Sequence, residues 1–118
     1  MPEHEKIDYL EWPSENLEQT RQFFEAAFGW QFQSYGSDYM AFARSAGLEG
    51  GFYRAPLKSR TEKGAVLVVL YSDHLESTRE KVLAAGGEEI KPIFSFPGGR
   101  RFHFAEPGGN ELAVWSDK

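Results

Sequence analysis

One pattern, run through twice, constrains this chain more than any other feature: an alternating apolar stretch, an amphipathic helix closed by glycine, then three more alternating stretches. In the first pass, residues 7–12 put Leu10 and Trp12 on one face and Ile7, Tyr9 and Glu11 on the other, which is the two-residue period of a strand. Pro13 and Ser14 end it. Asn16 offers a side-chain oxygen as an N-cap, Gln19 stands three residues on as the partner of a capping box, and Glu18 suits the positive helix end. Leu17, Phe24 and Phe28, flanked by Phe23 and Ala27, recur at helical spacing and form core, with Trp12; Gly29 closes the helix. The period then returns to two, predicting strands over 30–35, 39–44 and 48–54. Gly50 and Gly51 weaken the last of these and mark a bulge or a close approach of backbone.

The second pass follows a linker-like segment, about 56–64, that carries Pro56 and alternating charges. Residues 65–71 are a near-continuous apolar strand; Ser72 or Asp73 caps a helix bearing Leu75, Val82 and Leu83; Gly86 and Gly87 end it. A strand over 90–96 and a turn over 97–99 lead to a final hairpin. There Phe102 and Phe104 alternate with His103, and Leu112 and Val114 with Ala113. Pro107 presets its own φ and Gly108 is expected to take the positive φ of a type II turn. The expectation is one domain, 1–118, made of two similar modules, about 6–55 and 65–116. It is an α+β fold in which each helix covers one face of its own sheet.

Bulk properties narrow the function. A net charge of −5 excludes the basic footprint that nucleic acid or an anionic membrane requires, and the only basic doublet, Arg100 and Arg101, is too short to supply one. The absence of cysteine excludes disulfides, thiolate metal sites and a cysteine nucleophile. The charged N-terminus lacks a signal-peptide core and the longest apolar run, 65–71, is too short to span a bilayer, so a soluble, cytoplasmic protein is expected. Ten Phe, five Tyr and three Trp are more rings than a core of 118 residues needs, which leaves some for a pocket or an interface.

Three stretches, DYLEWPSENLEQTRQFFEAAFGW, VLVVLYSDHLESTREKVLAAGG and EPGGNELAVW, resemble the vicinal oxygen chelate superfamily of glyoxalase I, extradiol dioxygenases and bleomycin-resistance proteins. The resemblance covers essentially the whole chain in order and spacing. It implies a glyoxalase-like fold: two βαβββ modules forming a curled mixed sheet around a cleft, commonly completed by a second subunit, hence a homodimer. In the family's enzymes His, Gln or Glu side chains from the first and fourth strands of the modules hold a divalent metal. Here those positions fall on Tyr9, on Leu67, on Ala113 and within 50–53, where there is no carboxylate or imidazole. Leucine and alanine have no electron pair to donate, and His4, His74 and His103 are widely separated, so neither a metal nor another cofactor is expected.

Strand alternation assigns Tyr9, Glu11, Tyr71, Arg101, His103, Glu111 and Trp115 to the cleft face as ligand-binding candidates. The plainer alternative pairs Glu11 and Glu111 with Arg101 or Arg54 across strands and lets Trp115 fill the sheet or a dimer seam. His103 and Glu111 are the only candidates for acid or base catalysis. The function expected is binding or sequestration of a small, partly aromatic or apolar molecule, as in bleomycin-resistance proteins, with an acidic cleft suiting a cation. The alternatives are a lyase, isomerase or dioxygenase of the superfamily with a non-standard metal or acid/base site, and a protein-contact module whose cleft its own side chains fill. On this reading His103→Ala and Arg101→Ala alter binding with little loss of stability, whereas Phe104→Ala leaves a costly cavity.

Overall fold

The computed structural model describes residues 2–118. Its elements are β1 (Tyr9–Ser14), α1 (Leu17–Phe28), β2 (Phe32–Ser34), β3 (Tyr39–Phe42), β4 (Glu49–Arg54), β5 (Val68–Tyr71), α2 (Leu75–Ala84), β6 (Glu88–Phe96), β7 (Gly99–Ala105) and β8 (Glu111–Ser116), with short 3₁₀ turns at Arg44–Ala46 and Thr61–Lys63. They form two four-stranded sheets of one topology, β1-β4-β3-β2 and β5-β8-β7-β6. In each, the first strand pairs parallel with the fourth and the other pairs are antiparallel. This is the α+β, two-module arrangement that the duplicated pattern implies. No helix among the described residues is long and apolar enough to cross a membrane.

Several boundaries move, each for a local reason. β1 runs on through Pro13, because an edge strand loses no ladder bond to proline's missing N–H. β5 begins only at Val68, since its partner β8 begins at Glu111, level with Leu67, and the Glu111 N–H is already given to the Ser59 carbonyl. β2 starts late because Trp30 is still leaving the helix: Gly29 turns left-handed at φ 70°, the Trp30 N–H donates to the Phe24 carbonyl, and the indole stacks on Phe24 at 4.4 Å.

Asn16 does cap α1, accepting from the Gln19 N–H at 3.1 Å, but the reciprocal half of the capping box is replaced: the Asn16 N–H donates to Ser14 Oγ. For α2 neither Ser72 nor Asp73 is the cap; the N-cap position is His74, whose N–H donates to Ser72 Oγ at 2.9 Å. In the last turn it is Gly109, at φ 101°, and not Gly108 that takes the left-handed conformation.

The core is a run of rings. Trp12 stacks on Phe52 at 5.2 Å, and Phe24 meets Phe52 at 5.5 Å. From the other side of α1, Phe23 and Phe28 lie 5.6 and 6.1 Å from Phe104 on β7. The apolar side of one helix thus joins both sheets. The tyrosines stay out of it: all five are at least partly exposed, which leaves their phenols for the outward faces.

Candidate functional site

The outward face of the first sheet carries Tyr9 and Glu11 on β1, Tyr39 and Ala41 on β3, and Gly51 and Tyr53 on β4, in register across the ladder. Gly51 answers the question its sequence raised. β4 has no bulge, and a Cβ there would strike the Tyr39 phenol, so glycine is what lets that ring lie across the strand. The Tyr9 and Tyr39 hydroxyls are 2.5 Å apart and Tyr39 donates to Glu11 Oε2 at 2.9 Å. Burial, then the hydrogen bonds to Tyr9 and Glu11, push the Tyr39 phenol well above the ordinary tyrosine range, so it keeps its proton and serves as the donor to Glu11. Tyr9 therefore donates to Tyr39, and its own oxygen lone pairs remain for an incoming group. Beside them opens a cleft of about 690 Å³. Tyr9, Tyr35, Tyr39 and Phe32 give it aromatic walls, with Gln31, Gln33 and Glu49 as polar groups. An open cleft of this size counts against the filled-cleft alternative for this sheet.

The other five candidates share the outward face of the second sheet, where Arg101 pairs with Trp115, His103 with Ala113, and Tyr71 with Trp115. The seven residues are thus two patches on two sheets. In the second patch His103 Nδ1 lies 2.8 Å from Glu111 Oε2, and both side chains are buried. Glu111 Oε1 accepts from the Thr61 N–H and hydroxyl, both at 2.9 Å. Burial works to raise the Glu111 pKa, but the donors from His103 and Thr61 outweigh it and hold the carboxyl below its usual range. The cross-strand pairs offered as the plainer alternative do not form: Glu111 pairs with His103, Glu11 with Tyr39, and Arg54 with Asp38. Arg101 is flanked by Phe94 and Phe96, with ring centroids 5.3 and 5.6 Å away. Trp115 meets Tyr71 edge to face at 5.2 Å, and the Tyr71 phenol is tied to Asp117 at 2.6 Å.

Two contributors carry no sequence signal. The segment read as a linker is a strap over the β7–β8 turn: the Ser59 N–H donates to Asn110 Oδ1, Arg60 Nε to the Gly109 carbonyl, and the Glu111 N–H to the Ser59 carbonyl. The second is Glu106, buried within that turn. It accepts from the Thr20 hydroxyl at 2.8 Å, from the Gly108 N–H, and from Asn110 Nδ2 at 2.7 Å, so it joins α1 of the first module to the hairpin of the second. Gly108 is confined here as well, since a Cβ would meet Thr20, Ser14 and Glu106.

Burial outweighs the donors around Glu106 and raises its pKa. A raised folded pKa means the native state binds more protons than the unfolded one, so this group's contribution falls as pH rises from about 4.3, the ordinary glutamate value, through the raised one. The stability of the wild type minus that of Glu106→Gln is expected to decline over that range. Urea midpoints measured at a series of pH values check it, and a difference that grows with pH would contradict it.

The sequence profile of the Glyoxalase/Bleomycin resistance protein/Dioxygenase superfamily matches residues 6–114. This chain belongs to that superfamily. Solved structures agree on the fold. A glyoxalase-related enzyme from Fulvimarina pelagi superposes with a TM-score of 0.78 at 16% identity, covering 95% of this chain and 88% of its own. The genomically encoded fosfomycin resistance protein of Listeria monocytogenes gives 0.77 at 15% identity, with 94% and 92% covered. Lactoylglutathione lyase from Agrobacterium tumefaciens gives 0.69 at 16%, with 95% and 93% covered. No curated protein sequence matches the chain.

The metal of the superfamily's enzymes does not fit the residues present. The Tyr9 phenol already serves Tyr39, Ala113 is fully buried hydrocarbon beneath its neighbours, and Leu67 offers no donor. Among the described residues no three of His, Asp and Glu converge.

Proposed function

We propose that this protein is a metal-free binding member of its superfamily that takes a small organic cation with an aromatic or apolar body in the cleft of the first sheet. The observation that carries the reading is the composition of that cleft: tyrosine and phenylalanine faces, the free lone pairs of Tyr9, and Glu49, with no cation among its lining residues. Aromatic faces attract a desolvated ammonium by about 1–2 kcal/mol each, and the chain's net charge of −5 draws cations toward it. A homodimer belongs to the same proposal. β1 and β5 are edge strands, and Ile7 and Tyr9 near the first, with Val66, Val69 and Tyr71 near the second, are exposed apolar surface that a second copy would cover.

The test compares benzyltrimethylammonium with its neutral carbon isostere. The cation is expected to raise the melting temperature, by an amount equivalent to about 2.7 kcal/mol at a hundredfold excess over Kd, and Glu49→Gln and Tyr35→Ala should each weaken it several-fold. Equal binding of the isostere would refute the cation reading. A stoichiometric divalent ion in protein purified without chelator would refute the metal-free one.

The buried His103–Glu111 pair favours a second reading, a lyase or isomerase using non-standard acid/base chemistry, because a carboxylate that orients an imidazole is how a general base is built. Turnover of a screened substrate that survives His103→Gln would exclude it.

A further inference from the structure

Among the described residues, two buried side-chain nitrogens have no hydrogen-bond partner, Arg101 Nε and His103 Nε2. Both belong to β7, two residues apart on one face, about 7 Å along the strand. Buried polar atoms are nearly always paired, so two adjacent exceptions point to a group that meets both. Among the described residues Arg21, Arg54, Arg79 and Arg100 each pair with a carboxylate and Arg44, Arg60 and Arg101 do not; Arg60 donates its Nε to the Gly109 carbonyl, whereas the Nε of Arg101, held between two phenylalanine rings, is buried with no partner.

The chemistry of the missing partner follows from which atoms donate. Arg101 Nε–H can only donate. At His103, Nδ1 faces a Glu111 carboxylate that can only accept, which selects the tautomer of the neutral imidazole with the proton on Nδ1 and a lone pair on Nε2. One donor beside one acceptor is the complement of an acidic O–H group.

We propose that the outward face of the second sheet is a binding site for a small aromatic carboxylic acid. Its oxygen accepts from Arg101 while its proton passes to His103. The acid's O–H bond breaks as the Nε2–H bond forms; Glu111 balances the imidazolium and Arg101 the carboxylate. An acid that arrives ionised draws that proton from solvent. Lys91, the register partner of His103, adds a further positive charge nearby.

Phe94 is the door. Its ring lies 5.3 Å from the Arg101 guanidinium and 5.9 Å from the His103 ring, so one side chain covers both orphaned nitrogens. It stands on edge strand β6 at the first pair after a break in register between Lys91 and Phe94, opposite Arg101, so the ladder holds its backbone on one side only and the ring is what can turn. With Phe94 swung aside, Phe96 and Trp115, 6.4 Å apart, give an aromatic body a wall to lie against.

Benzoate is the probe, read by calorimetry and by the ¹⁵N resonance of His103 Nε2 in the full-length protein. Saturable binding is expected, with Nε2 moving from the unprotonated to the protonated position, an affinity at least tenfold weaker in Arg101→Gln, and no loss in Phe94→Ala. Thermal melts check that the variants fold; if Arg101→Gln does not, Arg101→Lys keeps the charge without the Nε donor and should also bind at least several-fold more weakly. The inference is overturned if neither the wild type nor Phe94→Ala binds benzoate, if the arginine variants that fold bind it unchanged, or if Nε2 does not move. This site is independent of the first-sheet cleft, and benzyltrimethylammonium binding that responds to Glu49→Gln but not to Arg101→Gln keeps the two outcomes apart.

Discussion

Replacing Phe104 by alanine is expected to lower the unfolding free energy by about 3–5 kcal/mol, as a fully buried ring removed without collapse of its surroundings does. The location makes collapse difficult. Phe104 sits on β7 of the second sheet, yet two of its aromatic neighbours, Phe23 and Phe28, come from α1 of the first module, and a third, Phe102, lies 6.1 Å away on its own strand. The walls of the cavity would belong to different modules and could not close on it without moving α1 against the sheet. His103, one residue earlier and on the opposite face, makes the informative comparison. The alternation alone implied that His103→Ala would cost little stability, but this side chain is 2% exposed and is the partner of a buried carboxylate. Its removal should cost about 1–3 kcal/mol, through the polar atom it strands. Denaturant unfolding of the two variants should therefore rank Phe104→Ala as the worse. The reverse order would mean that the hydrophobic interior lies on the other side of β7.

The periodic part of the fold was legible because it is local. Alternation of Phe102, His103 and Phe104, or the spacing of Leu17, Phe24 and Phe28, reports which side of an element is apolar, and the core side follows whatever the partner is. The same alternation sorted all seven candidate residues onto outward faces. The duplicated pattern put Tyr9 and Glu11 in one module and the other five in the other, but it could not report which of them touch, because strand pairing is set by contacts tens of residues apart. The strap fails the same test. Thr61 and Glu111 meet across 50 positions of sequence and Thr20 and Glu106 across 86, and no spacing rule within an element encodes either pair. Gly108 was read as turn chemistry because it follows Pro107 and glycine can take the positive φ of a type II turn. That its lack of a side chain admits Thr20, Ser14 and Glu106 is a tertiary fact. The Tyr9 phenol, placed by resemblance where relatives have a metal ligand, proved to be one end of a hydrogen-bonded chain to Glu11.

The second large effect is expected at Asn110, where alanine should cost about 3 kcal/mol or more although no apolar contact of consequence is lost. Its buried amide does three things at once. Nδ2 donates to the Pro13 carbonyl and to Glu106 Oε2, both at 2.7 Å, and Oδ1 accepts from the Ser59 N–H at 2.9 Å. Alanine leaves a carbonyl of β1, a buried carboxylate and a strap amide each short of a partner, and each orphaned group costs about 1–3 kcal/mol. Because those groups come from three separate segments, hydrogen exchange should quicken at Ser59, whose protection depends on this side chain, while Val114 in the middle of β8 keeps its protection. Asn110→Asp separates lost hydrogen bonds from charge. It is nearly isosteric and retains the acceptor for Ser59, but sets a second carboxylate against Glu106, which has no cation partner among the described residues. Two such groups cannot both ionise at contact, so one is forced to hold a proton at neutral pH. The Asp variant's deficit relative to wild type should therefore shrink as pH falls from 7 to 5, while the Ala variant's does not follow it. Equal pH dependence in the two would mean that Glu106 is not within reach of residue 110.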